Sequence, residues 1–300
     1  MTLVDFTCRV LSKLGITKNH WPVWLLEKGN MLSYNRIHGY SFDLNKAKTM
    51  TEKIQWYKTR YNMPDQVRYV DKYLFKELIK EKLGGVNFTI PLYGAWSNIE
   101  DFRRSWDSLP EKFCLKSTLQ SDGKCIKVIE RSNTNLDELC KEIKSWLKVK
   151  NTLINSYCTA YHKATPRILA EKYEESVKDQ LYDYKVWCFD GKPYCICAST
   201  NHFNDEHYPI SYFDLGWNLM DVQSGQHRVE FIPQPKHFED MIQLSKKLSK
   251  DIPFLRVDFF DTDEHLYVAE LTFYPGGGFF QYKPESFNKE MGDLFILPNN

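Results

Sequence analysis

The sequence has no uninterrupted apolar run of about 18 residues, the length that a helix needs to cross a bilayer. It also lacks an excess of basic charge, because 40 Lys and Arg stand against 39 Asp and Glu, for a formal net charge of +1. Proteins that bind nucleic acid without regard to its sequence are usually strongly basic, since they neutralise phosphates. We therefore expect no transmembrane segment and no nucleic-acid partner.

The eight cysteines form no C-x-x-C pair, so the spacing typical of zinc sites and redox motifs is missing. Several lie within apolar runs and are expected to be buried thiols, which a reducing compartment maintains. The opening segment, MTLVDFTCRVLSKLGI, is unlike a secretory signal because an acidic residue comes early and no long apolar core follows. Its apolar residues have the spacing of a short amphipathic helix. The expected location is the cytoplasm.

Neither G-x-G-x-x-G nor G-x-x-x-x-G-K-[ST] occurs, so a Rossmann or P-loop nucleotide site is not indicated. The chain does contain 42% hydrophobic and 15% aromatic residues, enough for a sizeable core in one large domain or two lobes. Helical patterns come first, followed by an antiparallel sheet with a helix and then a second sheet with a helix. This order predicts an α+β protein rather than a doubly wound one.

Turn and cap residues divide the chain into elements. Thr51 is a candidate cap for a helix that includes IQWYK, and DQVRYVDKYLFKELIKEKLGG predicts one continuous amphipathic helix that ends at Gly84. The runs KFCLKST, CIKVIE and RILAEKY predict strands, and Asp190-Gly191 is a strong hairpin signal. A helix is predicted over residues 237–250, before a last hairpin made of FLRVDFF and LYVAELTF.

This last hairpin carries two carboxylates. Alternation puts Arg256 and Asp258 on one face of the first strand, and Glu270 and Thr272 on one face of the second. If an odd number of residues joins the strands, Arg256 lies opposite Glu270, and Asp258 and Glu270 are diagonal neighbours; an even number would separate them. Buried carboxylates are costly unless paired, and Mg²⁺ accepts one or two of them together with water and phosphate oxygens.

Two other interpretations of the hairpin stay open. Arg256 and Glu270 could form a structural ion pair, with Asp258 facing solvent. The adjoining D-T-D, Asp261 to Asp263, matches the D-x-D metal motif of nucleotide-sugar glycosyltransferases, although Asp and Thr are also the residues that a hairpin turn requires.

Upstream segments supply the groups that a nucleotide needs. Lys116 ends the strand KFCLK, from which it can reach a phosphate while N–H groups of the next loop cover the others. ILAEKYEE runs from an apolar strand into charge, and such an edge offers backbone groups to adenine and acids to ribose. Taken singly, these segments are equally typical of an ordinary hairpin and a solvated strand end, and Lys72 is typical of a surface residue.

Taken in order, the segments resemble the ATP-grasp superfamily and, more narrowly, the TupA-like ATP-grasp proteins of bacterial cell-surface polysaccharide loci. The resemblance runs from about residue 42 to the C-terminus and is most specific in RVDFF with AELTFYPGGG. It implies an α+β fold with two lobes that hold ATP between them. The matching segments are FDLNKAKTMTEKIQWYK, YVDKY, KFCLKS, PRILAEKYEE, DYKVWCFDGKP, YFDLGW, LSKDIPFLRVDFF and VAELTFYPGGGF.

The resemblance implies ATP and Mg²⁺ as cofactors and a role for each matching position. Two lysines would bind phosphates, a flap over residues 117–124 would cover them, a hinge would hold adenine mainly through its backbone, and an acid would bind ribose. Arg256 would steady the reacting phosphoryl group or tetrahedral intermediate. The expected nucleotide residues are Lys72, Lys116, Ser117, Ser121, Gly123, Glu171, Lys172, Tyr173, Asp183 and Lys185; the metal ligands are Asp258, Glu270 and Thr272; and the catalytic residues are Arg256 and Lys116.

Three features depart from the superfamily pattern. Many members carry E-x-N at the second metal position, where this chain has Glu270-Leu-Thr272, and a hydroxyl ligates Mg²⁺ less commonly than an amide oxygen. The flap has one glycine, Gly123, where relatives often have several. The first 60 to 70 residues do not resemble the α/β substrate lobe of many ATP-grasp ligases, so acceptor recognition is expected to be unusual or shared with a partner.

The expected organisation is a helical segment over residues 1–70 and an ATP-grasp region over residues 71–300. The latter divides into a flap-bearing lobe at about 110–170 and a metal-binding lobe from residue 171 onward. The resemblance implies a ligase that phosphorylates a carboxylate of a small-molecule or glycan acceptor, such as a uronic acid, and lets an amine attack the acylphosphate. Peripheral association with a polysaccharide assembly complex is the expected partnership.

Two alternatives remain. A kinase that phosphorylates a sugar hydroxyl would use the same ATP site with a general base such as His162, His202 or His207. A non-catalytic nucleotide-binding component of a glycan assembly complex would bind ATP without turning it over.

Overall fold

Helices open the described part of the chain. The computed structural model describes residues 22–85, 87–118, 125–147, 158–174, 182–199, 209–225 and 229–298, with the side chain of His162 left out. The predicted helix at the start of the sequence and Cys8 therefore lie outside the described residues. The first four helices are α1 (Val23–His38), α2 (Met50–Arg60), the short α3 (Val67–Val70) and α4 (Leu74–Leu83).

A smaller sheet follows, with every neighbouring pair of strands antiparallel and the order β1-β4-β2-β3. Its strands are β1 (Leu92–Trp96), β2 (Lys112–Ser117), β3 (Ile126–Glu130) and β4 (Ile168–Lys172). Helices α5 (Ile99–Ser105) and α6 (Leu136–Ile143) enclose a core on one face. Because Phe113 and Leu115 point into that core, the alternation of β2 directs Lys116 to the other face.

A larger antiparallel sheet has the order β10-β9-β5-β6-β7. Helix α7 (Phe238–Ser249) packs Met241 and Leu248 against one face of it, leaving the other face toward the smaller sheet. The remaining elements are β5 (Asp183–Phe189), β6 (Lys192–Ser199), β7 (Ile210–Phe213), β8 (Gln223–Ser224), β9 (Leu255–Asp261), β10 (Leu266–Thr272), β11 (Tyr282–Lys283) and α8 (Glu285–Leu294). The α+β prediction is confirmed.

The predicted turn at Asp190-Gly191 is present, with both residues in the left-handed region at φ 47° and 74°. No disulfide joins the seven cysteines of the described residues. In that same part of the chain, no helix is both long and apolar enough to cross a membrane.

Two predicted helix boundaries are wrong. The cap of α2 is Thr49 rather than Thr51, because Thr49 and Glu52 form a reciprocal capping box. The helix predicted as continuous breaks after Val70, since the Asp71 carboxylate accepts hydrogen bonds from the N–H groups of Tyr73 and Leu74 at 2.9 and 3.2 Å. The spacing of apolar residues continues across this break, so it does not indicate that a side chain caps a new helix there.

Asp71 also holds the chain that leads into β4. The residue is fully buried, and its Oδ2 lies 3.1 Å from Arg167 Nη1 and 3.3 Å from the Thr165 nitrogen. One carboxylate therefore joins the α3–α4 junction to the central strand of the smaller sheet.

Replacing Asp71 by Ala is expected to lower the free energy of unfolding by about 3–5 kcal/mol, because it leaves Arg167 without its buried partner and removes a helix cap. Urea denaturation measures the change. Glu81→Ala is the matched control, since it removes the exposed ion pair with Arg68 and should leave the midpoint unchanged. Similar losses in both variants would contradict this account.

Candidate functional site

The positions of the two carboxylates on the last hairpin depend on a strand irregularity that the alternation of side chains does not predict. Its loop has four residues between Asp261 and Leu266, an even number that would separate Asp258 from Glu270. A β-bulge between Val268 and Glu270 adds one residue to β10, so that Glu270 pairs directly with Asp258. The carboxylates thus share a face, but the expected diagonal arrangement is wrong.

Arg256 binds Asp258 and not Glu270, which removes the structural ion pair considered from the sequence. Its Nε lies 2.7 Å from Asp258 Oδ1, and its Nη2 lies 2.5 Å from Oδ2. The same Nη2 donates to Thr272 Oγ1 at 3.3 Å, and that hydroxyl donates to Glu270 Oε1 at 3.2 Å. Thr272 therefore links the guanidinium to the second carboxylate.

These charges lie in a poorly solvated environment. Burial raises the pKa of Asp258, and the positive charges of Arg256 and Lys185 only partly counter it. Burial opposes the charge of Arg256 as well, but Asp258 and Glu270 outweigh it and raise the arginine pKa. Both groups are held in their charged forms mainly by each other, so a further cation beside the carboxylates would be stabilised.

The neighbouring strand β5 adds a third acid, Asp183, and a lysine, Lys185. Lys185 lies opposite Asp258 in the register, and its Nζ is 3.1 Å from Asp183 Oδ2 and 3.2 Å from Ser199 Oγ. Burial disfavours its charge, yet Asp183 and Asp258 raise the lysine pKa. Asp183 and Lys185 thus form an ion pair on the carboxylate face.

Glu171 on the smaller sheet joins two lysines. Its Oε2 lies 2.7 Å from Lys116 Nζ and its Oε1 lies 2.6 Å from Lys76 Nζ. Burial favours the neutral acid, but Lys116 and Lys76 outweigh it and lower the pKa of Glu171 to about 2. The predicted hinge residue therefore uses its side chain to orient a predicted phosphate lysine.

Lys76 belongs to this cluster and is not among the residues predicted from the sequence. It lies on α4 and also donates to the Ile90 carbonyl at 2.7 Å. Lys72, which was predicted to be the first phosphate lysine, lies half-buried in the break between α3 and α4. A signal was present, because Lys76 follows Phe75 and precedes Ile79 by three residues, at the margin of the apolar face.

The charged faces of the two sheets are directed toward each other. Burial lowers the pKa of Lys116 on the smaller sheet, but Glu171 raises it by more. Asp183 on the larger sheet adds to this rise. Tyr161, in the 3₁₀ turn Thr159–Lys163, lies close enough to Glu270 that the carboxylate adds to the effect of burial in raising the tyrosine pKa. The two faces therefore lie near each other, and the space between them, with Lys116 on one side and Asp258 and Glu270 on the other, is called the cleft.

Comparison with known families agrees with this arrangement. A family model described as TupA-like ATP-grasp matches residues 52–296. The chain belongs to the TupA-like ATP-grasp family. Its fold is the ATP-grasp fold, with two antiparallel sheets, mixed α and β elements and a helical N-terminal segment.

Solved structures with similarity to this ATP-grasp chain include D-alanine-D-alanine ligase from Helicobacter pylori, at TM-score 0.46 and 15% identity over 76% of this chain and 61% of that one. The ADP complex of purK, an N5-carboxyaminoimidazole ribonucleotide synthetase, has TM-score 0.42 and 18% identity over 74% and 50%. D-cycloserine synthetase DcsG has TM-score 0.45 and 14% identity over 78% and 70%. The chain thus spans 61% and 50% of the first two proteins. No curated protein matches it.

The predicted hinge, residues 171–173, lies within the described residues, whereas only Ser117 and Thr118 of the predicted flap do. The Lys172 N–H already donates to the Pro91 carbonyl at 2.9 Å, and Lys112 Nζ lies 4.4 Å from the centre of the Tyr173 ring. The Ser117 hydroxyl donates to the Trp146 carbonyl at 3.4 Å, on the face away from Lys116. The Ser117 N–H likewise donates to the Cys125 carbonyl, at 3.0 Å, so both donors of this residue are already used within the protein. Ser121 and Gly123 lie outside the described residues.

The D-T-D segment serves a turn. Asp261 Oδ1 lies 2.6 Å from His237 Nδ1, and Thr262 closes the loop through hydrogen bonds with His265. Asp263 is largely exposed. The glycosyltransferase interpretation is therefore not supported by the position of these side chains. His202 and His207 lie outside the described residues, as does the side chain of His162.

The residues on the larger sheet fit a magnesium ion in the chemistry of their donors. Within the described ranges, no group of three or more His, Cys, Asp or Glu side chains could hold a metal. Asp258 and Glu270 are nevertheless paired, largely buried carboxylates, and Mg²⁺ commonly takes one or two such ligands and completes its shell with water and phosphate oxygens.

Acid titration should reveal the Glu171 pairing. Because the pKa of Glu171 in the folded protein is about 2, below the ordinary value of 4.5, its ionised form stabilises the fold above pH 4.5, and this contribution is lost as the pH falls toward 2. Glu171→Gln should flatten that part of the stability curve, by on the order of 3 kcal/mol, in urea titrations between pH 5 and pH 2.5.

The matched control is Glu264→Gln, at an exposed position of the last hairpin loop. It should keep the wild-type dependence on pH. An unaltered pH dependence in Glu171→Gln would show that Lys76 and Lys116 do not hold this carboxylate.

Proposed function

We propose that the protein is an ATP- and Mg²⁺-dependent ligase that activates a carboxylate as an acylphosphate and joins it to an amine. The observation that carries the proposal is the cleft between the sheets. One wall presents Lys116, and the facing wall presents Arg256 with the paired carboxylates Asp258 and Glu270. This is the charge pattern that transfer of a phosphoryl group requires, in a chain of the ATP-grasp family.

The nucleotide would lie along the cleft with its phosphates over the lysine wall. Lys116 would exchange part of its contact with Glu171 for a phosphate oxygen, and Lys76 would continue to neutralise the glutamate. Asp183 lies two residues before Lys185 on the same face of β5, and it is proposed to bind the ribose hydroxyls. Lys72 and the flap are proposed to add further phosphate contacts.

Asp258 and Glu270 would hold the magnesium ion, with Thr272 as the proposed third protein oxygen. The bound ion would neutralise charge on the phosphate oxygens and orient them. Asp258 would then contact both the metal and Arg256. These two cations would favour its ionised form, which burial disfavours.

The protein's part in the reaction is to orient the reactants and to stabilise charge. An acceptor carboxylate oxygen forms a bond to the γ-phosphorus while the bond to the ADP oxygen breaks. The amine nitrogen then forms a bond to the acyl carbon, and the tetrahedral intermediate expels phosphate as the nitrogen loses a proton. Arg256 and Lys116 would donate to the oxygens on which negative charge develops, in a site already organised by Asp258 and Glu171.

The proposed acceptor is a uronic acid or a related carboxylate of a bacterial surface polysaccharide, and the second substrate is an amine. The proposed setting is the cytoplasm, with peripheral association with a polysaccharide assembly complex. The division into a helical segment over residues 1–70 and two lobes is likewise proposed. Glu171, the first residue of the proposed metal lobe, belongs by strand pairing to the smaller sheet.

Asp258→Asn and Glu270→Gln are each expected to reduce phosphate release at least about 100-fold, because each removes a carboxylate proposed to hold the Mg²⁺ that would stabilise the transferring group. The assay combines ATP, Mg²⁺, a panel of uronic acids and a panel of amines. Asp263→Asn, at the exposed end of the same hairpin, should retain wild-type turnover.

Product analysis separates the alternatives. A ligase releases ADP and phosphate and yields an amide, whereas a kinase leaves the phosphate on the sugar. Binding of Mg-ATP without ADP formation across the whole panel would instead support the non-catalytic component.

A further inference from the structure

A buried lysine on α2 contacts the glycine-rich loop that follows β10. Lys58 has no exposed surface, and its Nζ donates to Gln55 Oε1 and to the Gly277 carbonyl, each at 2.9 Å. The ammonium also lies 4.4 Å from the centre of the Phe279 ring. The lysine thus spans from the helical segment to the loop Pro275–Gly278.

Stability alone does not account for a cation at this position. Burial lowers the pKa of Lys58 to about 8, and the contacts above are with neutral groups. A single cation buried among neutral groups costs free energy because it is removed from water, and an apolar side chain of similar length would avoid that cost. The contact of Lys58 with Gly277 is therefore better explained by a functional requirement on the loop than by stability.

Gln55 forms a second contact between the same helix and the loop. Its Nε2 donates to the carbonyls of Gly277 at 3.1 Å and Gly278 at 2.8 Å. Gly278 has φ +73°, and a Cβ atom there would lie 2.5 Å from Gln55 Nε2 and 2.7 Å from Ile54 Cγ2. The helix approaches the loop so closely that only glycine fits.

The strand register shows which end of the site the loop borders. Asp183 lies opposite Phe260, Lys185 lies opposite Asp258, and Arg256 lies opposite Thr272, in that order along the strands. Pro275 comes three residues after Thr272. The loop therefore lies beyond the paired carboxylates and Arg256, at the end away from the proposed ribose acid.

We propose that Lys58, together with Gln55, positions the loop Pro275–Gly278 as one wall of the subsite that receives the acceptor carboxylate. This inference rests on the proposed function, since the ribose and phosphate positions define the acceptor end. The helical segment is then an integral part of the active site, and Lys58 is a positioning residue that acts through the Gly277 carbonyl.

Lys58→Met tests the proposal, and Lys53→Met is its matched control. Lys53 lies on the same helix and also donates to backbone carbonyls, those of Gly292 and Phe295 at 2.8 and 2.9 Å, which belong to the end of α8 and the residue after it. Burial lowers its pKa as well. The two variants thus remove the same kind of group, but only one removes a contact to the loop. Gln55→Met is a second loop variant, used if Lys58→Met does not fold.

Three readouts are compared. Amide hydrogen exchange of residues 273–281 should become about tenfold faster in Lys58→Met and remain at the wild-type rate in Lys53→Met. The Kd for Mg-ADP should change by less than about twofold in both variants. Phosphate release with D-glucuronate as the acceptor probe and ammonia as the amine should fall about 100-fold in Lys58→Met, with a raised KM for glucuronate and not for ATP.

Unchanged exchange of the loop in Lys58→Met, or equal effects in Lys53→Met, would overturn the positioning role. If Mg-ADP affinity and turnover fell together, the loop would contribute to nucleotide binding instead. That result would overturn its assignment to the acceptor subsite. Failure of the wild-type protein to bind Mg-ADP would count against the proposed function itself, while loop exchange would still decide whether Lys58 holds the loop.

Discussion

The bulge between Val268 and Glu270 is the constraint on which the carboxylate site depends. Without the extra residue, a four-residue hairpin loop would turn Glu270 toward the core under α7, where Val268 and Leu271 now lie. One inserted residue shifts the register of the rest of β10, so the same bulge brings Thr272 beside Arg256. The carboxylate pair and its hydroxyl link therefore form or fail together.

Each wall of the cleft balances most of its own charge. Glu171 lies between Lys116 and Lys76, which leaves that wall with one excess formal positive charge. The other wall has one excess formal negative charge, because Arg256 and Lys185 stand against three acids, Asp183, Asp258 and Glu270. A nucleotide with its cation would carry both signs into the cleft, so that phosphates replace part of Glu171 and the metal replaces part of Arg256. Such exchanges keep every buried group paired, which is the condition for placing this many charges out of water.

The elements were predictable because apolar periodicity, caps and turn residues act over a few neighbours. The strands around Lys116 and Asp258, the turn at Asp190-Gly191 and the helix before β9 all follow from such local rules. The pairing of Lys76 with Glu171 depends on residues distant in sequence. The bulge depends on the register of the hairpin strands, and the break at Asp71 depends on a side-chain cap, neither of which apolar periodicity reports. The resemblance to a family identified which residues to consider, but register and pairing required the fold.

The helical segment before the smaller sheet shares one hydrophobic core with the larger sheet and does not pack apart from it. Nearly every side chain of α2 is buried, including Glu52, Gln55 and Lys58, which no helix on the outer surface of a domain would hide. Its polar groups instead meet backbone carbonyls and caps: Gln55 and Lys58 reach the glycine-rich loop, and Lys53 reaches the end of α8. Because carbonyls in loops lack partners of their own, a helix that supplies donors can fix a loop without covering its exposed tip at Gly276. The described helical segment can therefore shape the proposed acceptor end of the site through the loop that it holds.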